Sequence, residues 1–270
     1  MNQFEKSSKC YDSKLVDNTV VVCLGAHALE ITTEAEKRLD FLELLQSINR
    51  SPDVLGYVQI NDSAFDGFAD LQELITFIEE NDAPYFARGG FRGMLHDVIA
   101  ARFRNSIGDL MIRMSNFEKP AVAGFQGKIR SEYLGFTLIF DSRFATADTT
   151  FSFDNVQMGI PASPGVTFLM PRFIGEGKTL SLLNRGATID AEEAQSLGLI
   201  TDIVERLDDL EDRCIKDIRD LTEHNRHIAK SHRKLILPTP KEISFALERY
   251  YKVAAESIIA IRSDQEVVSK

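Results

Sequence analysis

Positive charge is scarce in this chain. Its 31 lysines and arginines face 41 aspartates and glutamates, giving a net charge of −10 and an isoelectric point near 5.1. A general nucleic-acid binder needs a basic surplus to neutralise phosphates, so that class is excluded, although a local basic pocket for one anionic ligand is not. Long apolar runs are missing as well. None approaches the ~20 residues of a membrane span, and the opening MNQFEKSSKCYDSK has no apolar centre of the kind a secretory signal carries. Cysteine is sparse: Cys10, Cys23 and Cys214 stand far apart with no CxxC pair. That usage is expected of reduced thiols in a cytoplasm, not of disulfides or a zinc site. His224, His227 and His232 sit among Arg226, Lys230, Arg233 and Lys234 with no carboxylate or cysteine to complete a ligand set, so they read as a solvated basic helix face and no metal is expected. Gly177-Lys178-Thr179 imitates the end of a phosphate loop, but the glycine that pattern needs five residues earlier is Arg172.

What is present is an alternation of short apolar runs and amphipathic stretches. With 270 residues and 44% hydrophobic content the chain can bury a substantial core. Residues 9–24 read as two strands around Val16-Asp17-Asn18. Thr33 and Glu36 form a capping box for a helix to about residue 49, with Leu39, Leu42, Leu45 and Ile48 inward, and a third strand follows at 56–60. A helix is expected over 69–80, a Gly- and Pro-containing surface loop over 81–93, and a long helix over 94–117 that stops before Pro120. The stretch 119–204 then carries apolar runs at 121–126 and 142–147 around a small apolar helix. A Gly- and Pro-punctuated turn at 159–165 precedes three helical segments and a closing strand at 199–204. Beyond it the pattern is helical, at 208–221, 225–235 and 241–263, with Pro238 and Pro240 as the break and Ile243, Leu247, Tyr250, Ala254 and Ile258 on one face of the last segment. The composition shift near 200–206 divides the chain into a core, 1–204, and a helical region, 205–270.

Within 119–204 an ordered set of residues resembles the enoyl-CoA hydratase/isomerase family, the crotonase superfamily. The set comprises Lys119-Pro120, Gly127, Asp141-x-Arg143-x-Ala145, Phe151 and Gly159-Ile160-Pro161. It continues with Pro171-Arg172-x-x-Gly175, Ala191-Glu192-Glu193-Ala194 and Gly198-Leu199-Ile200. A weaker match reaches back to Ala64-Phe65 and Ala69-Asp70-Leu71. The resemblance implies an α/β protein: a crotonase-like spiral of ββα turns, closed by a helical C-terminal region used in trimerisation, as a homotrimer or a hexamer built as a dimer of trimers. It also implies an acyl-CoA substrate in which coenzyme A is part of the substrate and no separate cofactor is used, and lyase or isomerase chemistry in fatty acid metabolism.

Such chemistry rests on an oxyanion hole of two backbone N–H groups aimed at the thioester carbonyl. Carried over by position, the donors are the N–H of Ala69, or of Gly90 in an alternative register, and the N–H of Glu132. The family's glycine triplet is here Ser131-Glu132-Tyr133. The two carboxylates with which hydratases of the family move protons fall on Gly135 and Asn155, neither of which can act as an acid or base. Glu132, Tyr133 and Asp154 are the nearest remaining ionisable groups. The expected site therefore places Glu132, the Ala69 N–H and Asp154 at the chemistry, with Tyr133, Asn155, Arg88 and Arg92 around the substrate. The residues themselves leave other readings open: a solvated loop glutamate at 132, a turn role for Asp154 and Asn155, and a plain solvated surface at Arg88 and Arg92. They also leave open a catalytically inactive relative that serves as a subunit or binding partner.

Overall fold

The computed structural model describes residues 3–28, 30–65, 107–159 and 161–268. The expected helix at 69–80, the loop at 81–93 and the first part of the long helix at 94–117 lie outside them, as do Ala69, Arg88, Gly90 and Arg92.

A seven-stranded sheet runs in the order β1 (Lys6–Ser7), β2 (Tyr11–Val16), β3 (Thr19–Leu24), β4 (Gly56–Asn61), β5 (Ala121–Phe125), β7 (Ser142–Thr146), β10 (Asp202–Val204). From β3 to β10 every pairing is parallel, while β1–β2–β3 is an antiparallel meander. The β2–β3 turn forms where expected because Asp17 and Asn18 both take positive φ, 48° and 61°, the backbone that a two-residue hairpin requires. A small second sheet joins β6 (Lys128–Arg130), β8 (Thr150–Ser152) and β9 (Thr188–Asp190).

Both faces of the large sheet are covered, as parallel sheets require. Strand alternation sends Val20, Val22, Tyr57, Ala121, Ala123 and Phe125 to the main core. Val21, Val58, Val122 and Phe144 go to the other face, where Leu210, Cys214, Ile215 and Ile218 of helix α9 (Leu210–Glu223) meet them. The helix lies close because Gly56 and Gly124 leave it room. A Cβ at either position would stand within 3.1 Å of the side chains of Ile218 or Cys214.

Several expectations need correction. Thr33, expected to open a capping box, is instead the last residue of helix α1 (Glu30–Thr33), and α2 (Ala35–Arg50) starts after an extended Glu34 with no side-chain cap. Its buried face is Phe41, Leu42, Leu44, Leu45 and Ile48, while Leu39 is 59% exposed. At 100° per residue, Leu39 lies two positions off the 41/44/45/48 stripe and so faces water. The described part of the long helix is α3 (Asp109–Ser115), so Phe117 falls beyond its end. The closing strand is only Asp202–Val204, with Leu199 and Ile200 buried in the turn before it. After α10 (Arg226–Ile236), the long α11 (Pro240–Val268) buries Tyr251 with Ile243, Leu247 and Ala254, leaving Tyr250 half-buried beside that stripe. A capping box does exist at the α11 start, where Thr239 and Glu242 exchange hydrogen bonds and Pro240 sets the first turn.

Two cations, half-buried Lys119 and buried Arg143, tie the strands together. The Lys119 ammonium donates to the carbonyls of Ser51 and Val54, fixing the α2–β4 loop against the start of β5. Asp141 accepts the Ala121 N–H at 2.7 Å. Arg143 donates to the carbonyls of Leu199 (2.6 Å), Phe140 (3.0 Å) and Thr137 (3.3 Å), and its guanidinium lies over the Phe173 ring. Burial pushes Arg143 down to about 10, against the opposing pull of Asp141.

Candidate active site

Parallel strands deliver ligand-facing residues at their C-terminal ends, and here β5 and β4 are clasped at that end. Asn61 Oδ1 accepts the Gln126 N–H at 3.1 Å, and Gln126 Nε2 donates to the Asn61 carbonyl at 2.6 Å. Gly127 then turns the chain with φ +69° into β6, and helix α4 (Ser131–Thr137) begins directly after it. In the small sheet, β6 pairs with β8 in the register Arg130↔Ser152, and a 3₁₀ turn, Asp154–Met158, follows β8. These two connections bring residues 130–132 against residues 154–155.

Asn155 is 1% exposed and spans the gap. It accepts from Ser131 Oγ and donates from Nδ2 to Glu132 Oε1, both at 2.6 Å. Arg130 stands beside them, with Nη2 2.8 Å from Asp154 Oδ1 and Nε 3.6 Å from Glu132 Oε2. The Glu132 side chain is 14% exposed and that of Asp154 31%, so the first is largely shielded and the second opens to solvent. Helix α5 (Pro164–Leu169) closes the other side. Ser163, just before it, donates to the Ser131 carbonyl at 3.0 Å, and Tyr250 of α11 donates to the Pro161 carbonyl at 3.2 Å. Burial and the nearby Glu132 charge both push the Tyr250 phenol above its ordinary range.

Helices α4 and α5 touch through glycine. A Cβ built on Gly135 would stand 2.6 Å from Ser163 Oγ and 2.7 Å from the Val166 nitrogen. One on Gly165 would stand 2.3 Å from the Gly135 carbonyl carbon and oxygen. Position 135 has no room for any side chain.

The structure brings Glu132, Asp154 and Asn155 into one cluster. Tyr133 points elsewhere: it is buried with its ring 4.8 Å from that of Phe65 and 5.4 Å from that of Phe125, and burial raises its phenol. It borders a small cavity lined also by Leu24, Phe41, Gln59 and Leu110. Arg130 was not among the expected site residues. Strands as short as β6 and β8 leave no periodicity to reveal it, and only their parallel pairing sets this cation beside Asp154. Ser163 and Tyr250 were also missed, being polar residues that only the fold collects. Among the described residues no group of three histidines, cysteines or carboxylates is arranged to hold a metal ion, and no helix is long and apolar enough to cross a membrane.

A sequence model of the enoyl-CoA hydratase/isomerase family matches residues 78–254, more than half of the chain. An enoyl-CoA hydratase of Alternaria alternata is 30% identical over 118 residues, 44% of this chain and 40% of that protein. A peroxisomal bifunctional enzyme of Cavia porcellus is 34% identical over 100 residues, 37% of this chain and 14% of that protein. The match thus spans well under half the length of these relatives. Among solved structures, an enoyl-CoA hydratase from Bacillus halodurans superposes with a TM-score of 0.73 at 20% identity, covering 92% of this chain and 94% of its own. An enoyl-CoA hydratase/isomerase from Pseudoalteromonas atlantica gives 0.69 at 18%, covering 93% and 92%. At such identities the likeness establishes the fold, which is the crotonase fold.

Proposed function

Because the chain belongs to the enoyl-CoA hydratase/isomerase family, we propose that it acts on an acyl thioester of coenzyme A, with Glu132 as its acid/base group. The observation that carries this reading is the Glu132 carboxylate itself. It stands at the start of α4, largely shielded from water, and Asn155 holds one of its oxygens. The family's two proton-transfer positions are Gly135 and Asn155 in this chain, so a two-carboxylate hydration is not the expected reaction. A single base next to an oxyanion hole suits abstraction and return of a proton α to the thioester carbonyl. In this scheme the N–H groups of Glu132 and Ala69 stabilise the enolate oxygen, and the first-turn position of Glu132 leaves its N–H outside the helix ladder. Asn155 and Ser131 act as positioning residues, fixing the rotamer of Glu132.

The test is direct. Calorimetry with coenzyme A and short acyl-CoA thioesters should detect binding. Glu132→Gln should retain binding and fold while turnover falls by about 10² or more. Failure of every thioester to bind sinks the enzymatic reading. One observation favours the second reading, a catalytically inactive subunit or binding partner. Arg130 faces both Glu132 and Asp154, an arrangement that serves to cross-link β6 to the 3₁₀ turn whether or not a substrate is present. Assembly as a trimer or hexamer is part of the proposal. Leu235, Ile236 and Phe245 on α10 and α11 are more than 70% exposed, which suits burial between subunits, and analytical ultracentrifugation tests it.

A further inference from the structure

Resting on the thioester reading above, we propose that the acyl group this chain accepts is short and apolar, its far end seated in a small cavity behind Tyr133. The cavity lies between the large sheet and helices α1 to α4, and its volume is about 20 Å³. Leu24, Ile31, Phe41, Leu110, Tyr133 and Phe136 wall it, each 4% exposed or less. Helix α4 links it to the candidate site. Glu132 supplies the N–H proposed to hold the thioester carbonyl, and Tyr133 is the next residue, with its Cα about 3.8 Å from that of Glu132. The Glu132 side chain turns to Asn155, whereas Tyr133 and Phe136, three positions apart, share the face that borders the cavity. An acyl chain that leaves the carbonyl along that face reaches the cavity within a few bonds.

The cavity surface is almost wholly carbon. Gln59 borders it, but its Oε1 already accepts from the Tyr57 hydroxyl at 2.6 Å. A buried water needs about two to four polar partners and does not find them here, so the space suits a methyl or methylene group. Size sets the limit on chain length. A volume of about 20 Å³ holds one water-sized group, and the walls are braced. The Tyr133 ring packs 4.8 Å from that of Phe65 and 5.4 Å from that of Phe125, and Phe136 lies 5.4 Å from Phe140. A longer chain has to displace these rings, which a close-packed core resists. Tyr133 and Phe136 are thus the residues that determine acyl length.

Acetyl-, butyryl- and hexanoyl-CoA are the probes, titrated into the full-length protein by calorimetry. Butyryl-CoA should bind about tenfold tighter than acetyl-CoA, the worth of two buried methylenes, and hexanoyl-CoA no tighter than butyryl-CoA. Phe136→Ala enlarges the cavity and should make hexanoyl-CoA the tightest of the three. Ile31→Phe fills the cavity from the opposite wall and should erase the gain from acetyl to butyryl. A parent protein that gains steadily up to hexanoyl-CoA, or that binds all three alike, overturns the proposal and leaves the thioester reading standing. An unchanged order of affinities in Ile31→Phe also overturns it, since the cavity would then be a packing void alone. If none of the three binds, both readings fall. Should one variant fail to fold, the other decides.

Discussion

Replacing Gly135 with alanine adds one methyl group where α4 and α5 pack closely in the candidate site. In an exposed helix that change would stabilise, since alanine is favoured over glycine by about 1 kcal/mol. Here the new carbon meets Ser163 Oγ at 2.6 Å, the Val166 nitrogen at 2.7 Å and Val166 Cγ2 at 3.0 Å. Two of those atoms belong to a neighbouring helix that cannot yield without moving α5, and overpacking of that kind costs about 1–3 kcal/mol. The hydroxyl of Ser163 would also lose its bond to the Ser131 carbonyl if it rotated away, stranding a buried acceptor at a further cost of about 1 kcal/mol. The net expectation is a loss of about 1–3 kcal/mol, or roughly 2–10 °C in Tm for a chain of this size. Gly165→Ala should cost more, because the atoms nearest its Cβ are Gly135 backbone, from 2.3 Å. Urea titration monitored by circular dichroism measures both. A Gly135→Ala protein as stable as the parent, or more so, would refute the packing of α4 on α5. Gly135→Glu should fail to fold rather than gain hydratase activity.

Arg143→Met should lower stability by about 3 kcal/mol or more, because it strands the carbonyls of Leu199, Phe140 and Thr137 in the core. A urea midpoint shift corresponding to less than about 1 kcal/mol would contradict it. Asn155→Asp puts a second carboxylate 2.6 Å from Glu132, so the pair must share a proton. The variant should match the parent at about pH 4 and fall progressively behind as pH rises toward about 8, and parallel stability curves would count against the contact. Asp40 is pulled upward by burial, yet the hydrogen bonds from Lys6 (2.5 Å) and Tyr11 (2.6 Å) outweigh that and hold it below the usual carboxylate range. A carboxyl depressed in the folded state stabilises above its unfolded value of about 3.9, and that contribution is lost as pH falls through the folded one. Asp40→Asn should therefore flatten the acid limb of the stability curve, which melts at about pH 3 and pH 6 would reveal.

Local chemistry made part of this architecture readable. The hairpin at Asp17-Asn18, the breaks at Pro120 and Pro238, and the buried strands β3, β4 and β5 follow from turn preferences and apolar runs. The resemblance supplied the order of the later elements. Helix faces were harder: Leu39 lies two positions and Tyr250 one position off the buried stripe, because a leucine or tyrosine near the stripe looks the same in sequence as one within it. The resemblance singled out Glu132, Asp154 and Asn155 one by one, but nothing in the sequence showed that they lie in one cluster. Arg130 meets Asp154 only because three-residue strands pair in parallel, and segments that short carry no periodicity. The resemblance singled out Gly135, but its contact with Val166 spans 31 positions and leaves no local trace.

That glycine contact has an implication for how the chain can change. A carboxylate at 135 cannot be introduced by one substitution, since the space it would occupy belongs to Ser163 and to the backbone of α5. The turn at 161–165 would have to be rebuilt first, and a rebuilt turn confers no catalytic benefit until the carboxylate arrives. The order of steps is thus constrained, and the intermediate is neutral at best. Close packing of two backbones here acts as a ratchet, keeping position 135 free of any side chain while α4 and α5 stay as they are.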